Sequence, residues 1–226
     1  MFTFHLLSGY RGSGKDSFYF YLQKNSPWKF TILKSNNSKD NVPFYNETLS
    51  LESSIPETKR SLRIGLADEV KTLVHEELGI KIDNLQLLDL AKNYLQFYDN
   101  ISGKYFPLRH FYIKTGMAMR SIDPDFWCKK GLEQLIKKYP NGVKSEEVIN
   151  VFITDYRFPN EKAYFEKFGK VITYRIFSPY VNGLNTLDIE SEHSLDNEIT
   201  DYLVLRNPED FSDAIDIFPF YKKYKL

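Results

Sequence analysis

An apolar run, Phe2-Thr3-Phe4-His5-Leu6-Leu7, leads straight into Ser8-Gly9-Tyr10-Arg11-Gly12-Ser13-Gly14-Lys15-Asp16-Ser17, and no other stretch constrains the fold as much. Gly9, Gly14 and Lys15 satisfy the phosphate-loop spacing of glycine, four residues, glycine, lysine. Glycines let the backbone turn tightly, so that successive N–H groups face a phosphate chain. The positive end of a following helix adds to that field, and the lysine ammonium reaches the outer phosphates. The plain alternative is an ordinary glycine-rich turn. A strand before the loop and a helix after it favour the phosphate site, which would use Gly9, Arg11, Gly12, Ser13, Gly14, Lys15, Asp16 and Ser17. Asp16 stands where serine or threonine usually ligates magnesium, and the hydroxyl comes one place later at Ser17.

The chain has 226 residues, which fits one α/β domain or a domain with an inserted lobe. It is 42% hydrophobic and 16% aromatic, ample for a core. Lysine plus arginine and aspartate plus glutamate number 30 each, so no overall field favours polymeric nucleic acid or an anionic membrane. Any attraction for phosphate must be local. The single cysteine, Cys128, excludes an internal disulfide and suits a reducing compartment. No apolar run approaches a membrane span, and Phe2 to Leu7 reads as a strand rather than a signal. The expectation is a soluble intracellular, cytoplasmic protein.

Residues 2–8 predict a buried parallel strand, followed by a helix from inside the loop to about Lys24, stopped by Asn25-Ser26-Pro27. Phe30 to Leu33 is a short strand candidate, and residues 35–59 read as an inserted, mobile surface loop. Arg63 to Ala67 has strand character, with Asp68 as candidate N-cap of a helix closed by Gly79. Residues 83–115 carry helical patterns interrupted near Ser102-Gly103. A helix is expected after Asp123-Pro124, lined by Trp127, Leu132, Leu135, Ile136 and Tyr139. Val148 to Thr154 is a second clear buried strand, and Glu161 to Phe168 a short helix. Further strands are expected at Val171–Phe177 and Tyr202–Leu205, with a polar stretch at 178–197 between them and an aromatic helix at 210–224. Alternation of strands and helices implies a parallel sheet with helices on both faces, and ligands at the carboxyl ends of its strands.

Asp155 and Arg157 follow a buried strand, so both emerge at that edge. The aspartate suits a magnesium held through water, or a hydrogen bond from Ser17; the arginine suits a two-pronged phosphate clamp. The alternative is an Asp–Arg pair capping the next helix. Lys71 and Arg120 taken singly read as surface cations; their case rests on the several cations that phosphoryl transfer between two anions requires. His193 sits in a polar loop without a second histidine, which argues against a metal site or base. His5 and Cys128 read as packing groups, and Phe18 to Tyr21 as core and rim.

Ser13-Gly14-Lys15-Asp16-Ser17, Ala67-Asp68-Glu69-Val70-Lys71 and Asp155-Tyr156-Arg157-Phe158-Pro159-Asn160-Glu161 together resemble deoxynucleoside monophosphate kinases of the phage and large-virus type. Gly116, Arg120 and Trp127 fit that family's Gly…Arg…Trp segment, and its loop also carries Lys-Asp before a hydroxyl residue. A second resemblance competes. Asp123 to Lys130, and Glu190-Ser191-Glu192 with Leu195-Asp196-Asn197, are similar to animal-type phosphomevalonate kinases, although Phe158 stands where those carry a second arginine.

The first resemblance implies a phosphate-loop nucleoside monophosphate kinase-like fold, three-layer α/β/α with a parallel sheet. One domain would span the chain, with a helical acceptor lobe at 83–115 and a lid-like segment at 178–200. It implies transfer of the γ-phosphoryl of ATP, with Mg2+, to a deoxynucleoside monophosphate. Lys15, Asp155 and Arg157 would be catalytic; Asp16, Ser17 and Asp155 would serve the metal. Asp68, Lys71, Arg120 and Arg157 would bind the acceptor. The partner is then a small molecule, and a homodimer is compatible with the sequence. Residues 178–200 contain no lysine or arginine, so charge would be met by Lys15, Arg11, Arg157 and magnesium. The alternatives are phosphomevalonate kinase and a non-catalytic nucleotide-binding protein.

Overall fold

The computed structural model describes residues 1–23, 30–35, 44–45, 61–80, 92–140, 142, 147–178, 181 and 193–206. Along the chain the described elements are β1 (Phe2–Ser8), α1 (Lys15–Leu22), β2 (Phe30–Ser35), β3 (Phe44–Tyr45), β4 (Ser61–Ile64) and α2 (Leu66–Leu78). There follow β5 (Gln96–Asp99), β6 (Lys104–Pro107), α3 (Leu108–Ile122), α4 (Phe126–Lys138), β7 (Ile149–Ile153), α5 (Pro159–Phe165), β8 (Lys170–Phe177) and β9 (Tyr202–Arg206). Two compact units result: Met1–Ile64 with Tyr139–Leu226, and Gly65–Lys138.

The first unit is a mixed α/β layer built on a mostly parallel sheet, ordered β3-β2-β9-β8-β1-β7-β4. β1 lies at the centre of the five parallel strands, paired with β7 (Phe4 opposite Val151) and with β8 (Leu7 opposite Tyr174). Every residue of β7 is buried, as expected of a parallel strand covered on both faces. Alternation along β1 sends Leu7 towards Phe18 of α1, in a core with Phe152, Tyr174 and Val204. Phe4 points the other way, its ring 5.0 Å from Phe165 of α5. The two helices therefore cover opposite faces. His5 shares Leu7's face, stacked on Phe152 and hydrogen-bonded to Tyr174 (3.0 Å) and Asn150 (2.9 Å).

The sheet is not wholly parallel. β2 runs antiparallel to β9, and β3 antiparallel to β2. Phe30, Ile32 and Leu33 of β2 are buried, so both of its faces are covered, and an otherwise parallel sheet commonly carries antiparallel strands at one side. Phe44–Tyr45 also gives part of the expected 35–59 loop a strand pairing; the remainder of that insertion lies outside the described residues.

In the second unit α2, α3 and α4 pack together with a β5–β6 hairpin. Leu66, Val70 and Val74 form the buried stripe of α2. Trp127 of α4 is buried and donates from its indole nitrogen to the Gly116 carbonyl at 3.0 Å. Strand character ends at Ile64, and Gly65, not Asp68, is the N-cap of α2. Asp68 is the third helical residue, with its carboxylate against Gly65 and its N–H donating to the Gly65 carbonyl at 3.0 Å. Gly79 does close α2, at φ 64°.

The expected helical lobe at 83–115 is corrected in part. Gln96–Pro107 is a hairpin, and among the described residues of this stretch helix begins at Leu108. Ser102-Gly103 makes its turn, with Gly103 at φ 69°, and Phe97, Tyr98, Tyr105 and Phe106 are residues that favour strands. The Lys114 ammonium pairs with the Asp99 carboxylate at 3.0 Å and ties hairpin to α3. Pro124 lies in the turn before α4, where Asp123 accepts the Phe126 and Asp125 N–H groups. Ile136 is exposed, so the buried stripe of α4 runs through Trp127, Cys128, Gly131 and Leu135 instead. Residues 24–29, 81–91, most of 178–192 and 207–226 lie outside the described residues, and with them the expected stop of α1, the start of the lobe, most of the lid-like segment and the C-terminal helix.

Candidate functional site

Ser8, fully buried at the end of β1, anchors the start of the loop through its hydroxyl, which donates to the Tyr174 carbonyl at 2.9 Å. Gly9 then passes so close to β8 that a Cβ would stand 2.4 Å from the Ile176 carbonyl oxygen, and its φ is +146°. Gly12 and Gly14 have φ of 81° and 94°. Only glycine takes such a sequence of turns without strain. The Ser13 N–H closes a turn on the Tyr10 carbonyl at 3.0 Å, and Gly14 is the N-cap of α1, accepting the Phe18 N–H at 2.8 Å. The Lys15 ammonium folds back across the loop and donates to the carbonyls of Gly9 (2.8 Å) and Tyr10 (3.0 Å). Ser13 Oγ is buried and has no hydrogen-bond partner.

Asp155 is brought beside this loop. The N–H of Thr154 donates to Ile64 of β4 (3.3 Å), and that of Tyr156 to Leu7 of β1 (3.2 Å). The turn that carries Asp155 is thus held between the carboxyl ends of the flanking strands, two residues beyond β7, and Asp155 is half-buried. Arg157 is fixed at its backbone on both sides. Its N–H donates to the buried Glu161 carboxylate at 2.8 Å, and its carbonyl accepts from the Ser194 hydroxyl. Glu161 stands at the third position of α5 and receives amides from the entering chain, half of a capping box. Burial, with Glu161 next in effect, pushes the Tyr156 hydroxyl above its ordinary range, so this ring stays a neutral packing group.

Asp16 is exposed in the first turn of α1 and pairs with Arg63 of β4 at 3.0 Å. Ser17 is half-buried one position on. Among the described residues, no three histidine, cysteine or carboxylate side chains cluster as a metal site. The described helices include none long and apolar enough to cross a membrane.

In the second unit the predicted acceptor residues fall into two places. Asp68 and Lys71 pair one turn apart on α2, at 3.2 Å. Arg120 is in the last turn of α3, and its guanidinium donates to the Pro124 carbonyl at 3.4 Å.

A network under the loop was not legible in the sequence. Arg175 of β8, buried, lies over the ring of Tyr10 at 5.1 Å and donates to Asp196 Oδ1 at 2.5 Å. Asp196 Oδ2 accepts from the Tyr10 hydroxyl and from His193 Nδ1, each at 2.9 Å. His193 is thus one member of a structural cluster, and no second histidine joins it among the described residues. Burial alone would raise the Asp196 carboxyl; the His193 and Tyr10 hydrogen bonds and the Arg175 charge outweigh it and hold the group below its ordinary value.

Arg206 was also missed. It ends β9, and a Cβ on Gly14 would stand 3.6 Å from its Cδ and 3.9 Å from its Nη1. The signal was available: like Asp155, it is a charged residue at the carboxyl end of a buried strand, Tyr202-Leu203-Val204-Leu205. No protein-family model matches the chain, and no curated protein matches it in sequence.

Proposed function

We propose that the chain is a phosphate-loop kinase of nucleoside monophosphate kinase-like fold, which moves the γ-phosphoryl of ATP to a deoxynucleoside monophosphate. The observation that carries this reading is the loop itself. It leaves the carboxyl end of β1 through three positive-φ glycines, with Lys15 folded over it and α1 starting beyond it. β1 is flanked by β7 on one side and β8 on the other, and the chain crosses over β1 between them. Open α/β sheets bind ligands at such a switch point.

The roles follow from position. Gly9, Arg11, Gly12, Ser13, Gly14, Asp16 and Ser17 line the stretch that would cradle the ATP phosphates, with Lys15 exchanging its two carbonyl partners for the β and γ groups. Ser17 and Asp155 offer the oxygen ligands that Mg2+ takes, while Asp16 shares its carboxylate with Arg63 and is the weaker ligand of the three. Magnesium bound there with the nucleotide would neutralise phosphate charge. In the first unit Arg157, on a backbone locked by Glu161 and Ser194, would clamp the acceptor phosphate, and in the second unit the same reading gives acceptor-binding roles to Asp68, Lys71 and Arg120. No covalent intermediate is needed, since catalysis is positioning plus charge neutralisation.

The test is a coupled ADP-release assay across deoxynucleoside monophosphates, ribonucleotides and phosphomevalonate. Turnover of a deoxynucleoside monophosphate is expected, and Lys15→Ala should lower it by at least about a hundredfold, of the order seen when one transition-state donor is removed. Turnover of phosphomevalonate alone would move the protein to lipid-precursor chemistry. ATP binding without turnover of any acceptor would make it a binding protein.

A further inference from the structure

Residues 178–200 bring no lysine or arginine to the loop, yet the nucleotide phosphates proposed to bind there carry several negative charges. A cation is supplied from elsewhere in the sheet. β9 runs parallel to β8, with Leu205 opposite Phe177, and so ends at the same edge as β1. Its last residue, Arg206, reaches back to the N-cap of α1, with Cδ and Nη1 at 3.6 and 3.9 Å from a Cβ position on Gly14. That N-cap precedes the N–H groups of the first helical turn, which carry the positive end of the helix dipole. Ser13 next to it holds its hydroxyl buried and without a hydrogen-bond partner, which an anion or its shell would supply.

We infer that Arg206 is a nucleotide-binding residue that takes the α- and β-phosphates at the N-terminus of α1. The division of labour comes from the loop's geometry. Loop amides of this type serve the α- and β-phosphates, and the lysine serves β and γ. A guanidinium beside Gly14 stands on the α/β side, while the Lys15 ammonium lies across the loop at Gly9 and Tyr10. Arginine suits the place, because its planar fork matches two phosphate oxygens. The α- and β-phosphates stay on the donor nucleotide throughout transfer. Arg206 therefore holds substrate, transition state and ADP alike, and raises affinity without lowering the chemical barrier.

The inference rests on the kinase reading only as far as the loop binding a nucleotide, and ADP titration by calorimetry on the full chain tests it. Arg206→Met keeps the alkyl stem and removes the charge. It should weaken ADP binding by about tenfold, the effect of one lost charge-assisted bond, and raise the KM for ATP with little change in kcat. ADP affinity should also become less sensitive to ionic strength in the variant, which a merely structural role would not produce. Arg206→Lys restores the charge without the fork and should bind ADP better than the methionine variant but a few-fold more weakly than the parent. Parent and methionine variant binding ADP equally would overturn the assignment and leave the loop reading standing. If the methionine variant does not fold, a lysine variant equal to the parent overturns it. A parent that binds no ADP overturns both.

Discussion

The hydroxyl of Tyr10 donates a 2.9 Å hydrogen bond to Oδ2 of Asp196, joining the second residue of the glycine loop to a carboxylate 186 positions away. The same carboxylate neutralises Arg175, which lies buried beneath the Tyr10 ring. The loop is therefore seated on a closed charge network. Removing Asp196 would leave the guanidinium buried and unpaired. Asp196→Ala should destabilise the protein by about 3 kcal/mol, the low end for a broken buried pair because its side chain keeps some exposure. Tyr10→Phe should cost only about 1 kcal/mol. Urea unfolding of both and of the double variant should give less than the sum, since the two share one bond.

His5 makes stability depend on pH. Burial, its largest cause, pushes the imidazole down to about 4, against an ordinary 6.5. The unfolded chain then takes up the proton first, so stability is full above pH 6.5 and falls as pH drops towards about 4. The loss across that window should be about 3 kcal/mol, from the size of the shift. His5→Gln should flatten the profile there. Asp196, held low by its partners, contributes stability that disappears only below the ordinary carboxylate value, so acid unfolding should retain a second phase in the glutamine variant.

Gly9 tests the loop's backbone directly. Its Cβ direction is filled by the Ile176 carbonyl and Ser13 Oγ, at 2.4 and 2.5 Å. Gly9→Ala should cost about 2 kcal/mol or more through strain at positive φ, and should weaken ADP binding more than any alanine substitution on the exposed face of α1. Thermal unfolding and ADP titration on the same sample check both halves.

Trp127 plays the corresponding part in the second unit. Trp127→Phe leaves a void beside α3 and removes the indole hydrogen bond to the Gly116 carbonyl. About 2 kcal/mol should be lost, combining cavity and hydrogen-bond terms. Chemical denaturation followed by circular dichroism measures it.

Much of the first unit was legible because its signals are local. Phe2 to Leu7 and Val148 to Thr154 are mostly apolar runs, and they became the interior strands β1 and β7. The glycine spacing placed a tight turn before a helix, and the positive φ angles stand at Gly9, Gly12 and Gly14. Gln96–Pro107 was harder. Its short apolar stretches suit a helix or a strand equally until Leu95 accepts the Leu108 N–H and Lys114 meets Asp99. Asp68 was misplaced as a cap for a similar reason, since an acidic residue favours both the N-cap and the first turn.

The sequence alone determined that a glycine loop with Lys15 follows a buried strand, and that Asp155 leaves the end of another. Those facts depend on residue type and on spacings of a few positions, which backbone geometry translates directly. The tertiary structure decided that β2 and β3 run against the other strands, that Asp16 faces Arg63, and that Arg175 and Asp196 sit beneath Tyr10. It also decided that Arg206 lies against Gly14. Such contacts join residues far apart in the chain. Their pairing follows from strand order and register across the whole sheet, a property of the packed core that no short stretch of sequence contains.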